Sequence, residues 1–137
     1  GMSEDNMKRI INMPFVACGS DESCRNRDYA LGRSHPRGFG SFPRFVGIAT
    51  ERIPLQEVVM KITSMSATIF GLKGRGMLKE GYFADMVLFE PHKFRDNASF
   101  AEPHKLSDGV MKVWVNGVLS WDSGKPTGKR GGKLLRG

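Results

Sequence analysis

Near the C-terminal end of the chain, Asn116-Gly117 separates two runs of alternating apolar residues, 110–115 and 118–121. A type I′ turn needs a positive φ at both central residues, and asparagine followed by glycine tolerates this best. That turn also matches the twist of paired antiparallel strands, so the region is committed to a β-hairpin. A further strand is predicted over 85–89, where Met86, Val87, Leu88 and Phe89 are apolar and Pro91 stops the run. The segment 92–107 between these strands reads as a loop. The tail from Ser123 is rich in glycine and lysine and is expected to be extended or partly disordered.

The first half has a different periodicity. Ser3 is placed to cap a helix whose first turn holds Glu4 and Asp5, and Met7, Ile10 and Ile11 supply its apolar stripe. Asn12 and Pro14 end it. Phe15 to Cys18 is a short, wholly apolar run that predicts a buried strand of the parallel kind. A helix followed by such a strand is one step of an α/β fold. A short helix is predicted over 42–50. A clearer one starts at Pro54 with Leu55, Val58, Val59 and Ile62 on one side, and a further turn or two over 63–70 ends at Gly71. Between the run at 15–18 and the helix at 42 lie about 20 residues with little apolar periodicity, longer than an ordinary connection. They follow the C-terminal end of the expected strand, where α/β folds place their chemistry.

The chain has 137 residues, the size of one domain, with 39% hydrophobic and 26% charged residues, an ordinary soluble balance. No apolar run reaches the ~18–20 residues of a membrane span. The stretch 10–18 is interrupted by Asn12 and Pro14, unlike a signal-peptide core, and Gly1 before Met2 reads as a scar of tag removal. The net charge of +7 is spread along the chain apart from one dense stretch, 125–136. Aromatic residues do not alternate with the basic ones as a stacking platform requires, so a solvated basic tail is expected and neither nucleic acid nor membrane is a predicted partner. Two cysteines, Cys18 and Cys24, lack spaced His or Cys partners and read as reduced thiols of a cytoplasmic protein. None of the three histidines forms an H-x-H pair. His92 and His104 are expected at the surface, and His35 near the mouth of the expected strand.

Several segments resemble, in order, the N-acyl-D-amino-acid deacylases (D-aminoacylases) of the metal-dependent amidohydrolase superfamily. Gly19-Ser20-Asp21, His35-Pro36-Arg37 and Gly40-Ser41-Phe42-Pro43-Arg44 are similar to that group's G-S-D, H-P-R and G-[TS]-F-P-R. Lys61-Ile62-Thr63-Ser64 with Ala67 resembles its K-x-T-S-x-x-A helix. Gly71-Leu72, Arg75-Gly76-Met77-Leu78, Gly81 and Ala84-Asp85 resemble the wider superfamily signature. Val115-Asn116-Gly117, Thr127-Gly128 and Leu135-Arg136 are similar to the terminal hairpin and tail. The segment 44–57 is shorter than the pattern, and Gly131-Gly132 stands where Pro-Gly is usual.

This resemblance implies an α/β fold: a C-terminal fragment of an amidohydrolase TIM barrel, with the last strand, the active-site loop and closing helices over 1–72. The C-terminal strands and hairpin of a small β-sandwich domain, with a basic tail, would occupy 73–137. A whole TIM barrel takes about 250 residues. It implies that Asp21 is the catalytic carboxylate, taking a proton from a metal-bound water and returning it to the leaving amine, with zinc supplying Lewis acidity in the intact enzyme. The ligating residues of the family lie on earlier strands, so no metal is expected in this chain alone, and the isolated chain is expected to be inactive. Arg25, His35 and Arg37 are the substrate-binding candidates, since a guanidinium matches a carboxylate in a bidentate fork. Read without the resemblance, Ser20-Asp21 is an ordinary turn pair, the two arginines can equally pin the loop through backbone carbonyls, and His35 has a structural reading in which it orients the loop by hydrogen bonding. Phe39, Phe42 and Phe45 read as packing, Asp85 as structural, Cys18 as a buried core thiol and Cys24 as an exposed one. The alternative to an enzyme fragment is a non-catalytic module that self-associates through exposed strand edges.

Overall fold

A computed structural model describes residues 3–23 and 26–135. Its elements run α1 (Glu4–Ile11), α2 (Arg37–Ala49), α3 (Leu55–Ile62), α4 (Ser64–Ile69), β1 (Met86–Phe89), β2 (Val110–Val115), β3 (Val118–Asp122) and β4 (Lys125–Pro126). The chain divides into two compact units, Gly1–Ile62 with Phe94–Asp108, and Thr63–Lys93 with Gly109–Gly137. The expected boundary at 72/73 differs from this division. Segment 94–108 joins the helical unit because Asp96 and Ser107 bind α2, while α4 and its following turn pack with the sheet's loops.

The first unit holds α1 to α3. The Ser3 hydroxyl accepts from the Asn6 N–H at 3.2 Å, and Glu4 and Asp5 occupy the first turn of α1 as the sequence requires. The core is Phe45, Val46 and Ala49 of α2 against Val58 of α3, flanked by Ile11, Cys18, Ile53, Leu55, Ile62 and Phe94. Phe45 thus packs as expected, whereas Phe42 is largely exposed.

α2 begins at Arg37, five residues before its predicted start. Gly38 and Gly40 disguise the first turn, because glycine costs about 1 kcal/mol in a helix interior. Each makes room for a carboxylate side chain. A Cβ on Gly38 would lie 2.8 Å from Glu22 Cγ, and one on Gly40 would fall on Asp96 Oδ1. Pro43, inside α2 and buried, has no N–H to give to the carbonyl of Phe39. The Ser107 hydroxyl donates to that carbonyl instead, at 3.1 Å.

The expected strand at 15–18 is absent: the segment has no strand pairing and Phe15 is 75% exposed. A barrel strand exists only through hydrogen bonds to neighbours on both sides. Here the segment is held by Lys61, whose Nζ donates to the carbonyls of Met13 and, at 3.0 Å, Val16. Lys61 is 2% exposed, and burial pushes its ammonium below the usual lysine range, partly offset by Glu57.

The second unit is a four-stranded antiparallel sheet in the order β1-β2-β3-β4, with α4 preceding it. β2 and β3 are the predicted hairpin, with Asn116 at φ 49° and Gly117 at φ 79°. The tail is more ordered than expected, since β4 pairs Pro126 with Trp121 and Lys125 with Asp122. The Arg75 guanidinium binds the Asp85 carboxylate, donates to Asn116 Oδ1 at 2.6 Å and lies 4.2 Å from the centre of the Phe83 ring. Asp85 Oδ1 accepts the Asn116 N–H at 2.8 Å, and Asn116 Nδ2 donates to the Gly131 carbonyl at 2.6 Å. Asp85 is structural, as expected.

Gly76 has φ 80°, and a Cβ there would lie 2.7 Å from Ala67 Cβ and 2.9 Å from Ser64 Cα. Gly76→Ala adds left-handed strain to a backbone overlap and is expected to cost roughly 3 kcal/mol. The urea midpoint of the sheet unit checks this; an unchanged midpoint refutes it.

Candidate functional site

The loop between Cys18 and α2 carries the predicted site. Asp21 sits at φ 50°, a left-handed conformation that aspartate tolerates better than most residues, and its side chain is 89% exposed. Arg37, the first residue of α2, places Nη1 3.1 Å from Asp21 Oδ2 and Nε 3.9 Å from Glu22 Oε2. The His35 ring accepts the Arg37 N–H on Nδ1 at 3.1 Å, which satisfies one of the orphan donors of the helix start. His35 also meets the edge of Phe100, with centroids 5.0 Å apart. Asp21, His35 and Arg37 are therefore brought together around the N-terminus of α2. Arg37 engages carboxylates of the chain itself. Arg25 and Cys24 lie outside the described residues.

His35 and Arg37 line a cleft of about 140 Å³ with Arg44, Asp96, Ser99 and Phe100. Asp96 Oδ2 receives Arg44 Nε at 2.8 Å and Nη2 at 2.6 Å, while its other oxygen accepts the Ala98 N–H at 2.7 Å. The wall at 96–100 is thereby fixed against α2. No spacing signal pairs Arg44 with Asp96, which is why the sequence did not mark them.

His104 requires a correction. It was expected at the surface, but it is 4% exposed, next to the buried Pro103. Its ring stacks on Tyr29 (centroids 4.0 Å apart, planes 7° apart) and on Phe39 (5.0 Å, 24°). Nε2 accepts the Ser34 N–H at 3.2 Å, and Nδ1 lies 3.4 Å from the Arg27 carbonyl. A loop histidine looks solvent-exposed in the sequence because the aromatic residues that enclose it are far away in the chain. His92 is exposed, as expected.

Among the described residues, no three His, Cys, Asp or Glu side chains are placed to hold a metal ion. They do not supply a ligand set for zinc. What they do supply is an exposed carboxylate, a guanidinium paired with it and an imidazole beside a small cleft. No helix among the described residues is long and apolar enough to cross a membrane.

Residues 5–120 match a family model described as the amidohydrolase family. D-aminoacylase from Alcaligenes xylosoxydans xylosoxydans is 37% identical over 98% of this chain and 27% of its own length. N-acyl-D-aspartate deacylase of the same organism is 33% identical over 98% of this chain and 26% of its own. The solved structure of N-acyl-D-glutamate deacylase from Bordetella bronchiseptica, complexed with zinc and a phosphonate inhibitor, superposes with a TM-score of 0.83 at 35% identity. It covers 99% of this chain and 28% of that one. The chain thus spans about a quarter of the length of these relatives.

Two outcomes follow from the geometry. The Asp21–Arg37 pair is exposed, so Arg37→Ala should shift unfolding free energy by less than about 1 kcal/mol; a larger loss in urea would show that the pair supports the fold. Burial pushes the Cys18 thiol up to about 11. At pH 8 its thiolate fraction is then about two orders of magnitude below that of an ordinary cysteine. In a Cys24→Ser background, iodoacetamide labelling followed by mass spectrometry should be slowed accordingly, and labelling at the rate of a free thiol refutes this.

Proposed function

Because this chain belongs to the amidohydrolase family, we propose that it is part of a zinc-dependent hydrolase that cleaves the amide bond of N-acyl-D-amino acids, with Asp21 as its general acid–base. The observation that carries this reading is the gathering of Asp21, His35 and Arg37 at the start of α2, beside a cleft. The similarity to deacylases of N-acyl-D-amino acids over nearly the whole chain supports it. In this reading the helical unit belongs to the closing part of a TIM barrel and the antiparallel sheet to the small β domain.

The exposed Asp21 carboxylate takes a proton from the attacking water and returns it to the leaving amine. Arg37, joined to Asp21 at 3.1 Å, holds that carboxylate in place, and its guanidinium meets the substrate's carboxylate by exchanging its contact with Glu22. Arg25 would add a second cation, and the His35 ring fixes the start of α2 at Arg37. A bound zinc ion would supply Lewis acidity at the scissile carbonyl. Its ligands are to be supplied by other parts of a complete enzyme.

Two measurements test the reading. In a complete enzyme containing this chain, Asp21→Asn should lower kcat by about 10²–10⁴ with unchanged circular dichroism, and Arg37→Met should raise KM more than it lowers kcat. Retained kcat in the first variant removes Asp21 from the chemistry. The 137-residue chain by itself should not turn over N-acetyl-D-amino acids; turnover lost on adding chelator and in Asp21→Ala would overturn its inactivity.

A second reading, self-association without catalysis, is favoured by β1, the outer strand of the sheet, where Val87 is 54% and Leu88 46% exposed. Sedimentation as a monodisperse monomer at high concentration would remove it.

A further inference from the structure

We infer that His104 is the positioning residue of the loop that carries the substrate-binding groups: the two nitrogens of its ring tie together residues 27 and 34. The inference rests on the proposed reading of this loop as the substrate loop, but its geometry is independent of it. The Arg27 carbonyl and the Ser34 N–H converge on the two nitrogens of one imidazole. A carbonyl on one side and an N–H on the other define a single tautomer, Nδ1–H donating and Nε2 accepting. Tyr29, at the middle of the same segment, covers one face of the ring, and Phe39 of α2 stacks on it as well. The segment 27–34 is thus folded around His104 as a strap, and its last bond lies one residue before His35 and three before Arg37.

Further contacts hold the strap. Asp28 turns the chain by accepting the Ala30 N–H at 3.0 Å, and Arg33 donates to the Ala101 carbonyl and lies 5.9 Å from the centre of the Tyr29 ring. Both ring nitrogens of His104 are committed to backbone groups. The charged and titratable groups on the packed segments are Arg27, Asp28, Tyr29, Arg33 and His35 on the loop, Arg37 on α2, and Glu102 and Lys105 beside the histidine. Glu102 and Lys105 pair with each other at 3.3 Å. Removing the ring nitrogens leaves the Arg27 carbonyl and the Ser34 N–H without these partners, at a residue that is 4% exposed.

The test uses the whole chain. Nitrogen-15 NMR of the imidazole should show the Nδ1–H tautomer. His104→Phe retains the stacking and loses both bonds, so protection of the Ser34 amide against hydrogen exchange, corrected for intrinsic rate, should fall at least tenfold in the variant, while the amides of α2 and α3 keep theirs. Ser34 protection that is equal in the two chains overturns the inference, and the opposite tautomer in the wild-type chain overturns it even if the variant fails to fold. Neither arm involves substrate. In a complete enzyme, His104→Phe should raise KM more than it lowers kcat. A strap seen by exchange with no KM response would support the positioning role and reject the assignment of the loop to substrate.

Discussion

The helical unit depends on one buried ammonium. Lys61 lies on the core-facing side of α3, one turn after Val58, and reaches the carbonyls of Met13 and Val16. A charged group in so dry a place persists only when its donors are used, and those carbonyls belong to the segment that leads into Gly19-Ser20-Asp21. The Cys18 N–H returns a bond to the Lys61 carbonyl at 3.4 Å. The path of the chain from α1 to Asp21 is thus fixed from α3 rather than by strand neighbours. This is how the segment stays placed without sheet pairing, and why Phe15 is left facing outward.

The sheet unit solves a comparable problem with Arg75. One guanidinium joins the turn after α4 to Asp85 at the start of β1 and to the hairpin tip at Asn116, and Asn116 passes the connection to the tail at Gly131. The left-handed Gly76 lets this turn approach Ala67 and Ser64 closely. The Arg-Gly and Ala-Asp pairs that carry the family signature are accordingly fold-holding residues of the sheet unit.

What could be read from the residues was whatever is encoded locally. The Asn116-Gly117 turn, the Ser3 cap and the Pro54 start of α3 each depend on a conformational preference within a few positions, and each forms where expected. The start of α2 was hidden because Gly38 and Gly40 disfavour a helix locally, and their purpose lies with Glu22 and Asp96. The burial of His104 depends on Tyr29 and Phe39, which no short window of sequence contains. The run at 15–18 has the composition of a barrel strand, but composition does not supply the partner strands. Asp21, His35 and Arg37 were marked by motif, and their grouping around one helix start follows from Arg37 being its first residue.

The proline within α2 has an effect beyond its own turn. By withdrawing an amide it leaves the Phe39 oxygen as a keyway on an otherwise sealed helix, and the hydroxyl of Ser107 is the key. Together with the Arg44–Asp96 pair, this bond gives segment 94–108 one seat along the helix, and His104, three positions upstream on the same stretch, is indexed with it. A defect in one helix thereby acts as the alignment mark for an imidazole more than sixty residues away in the chain.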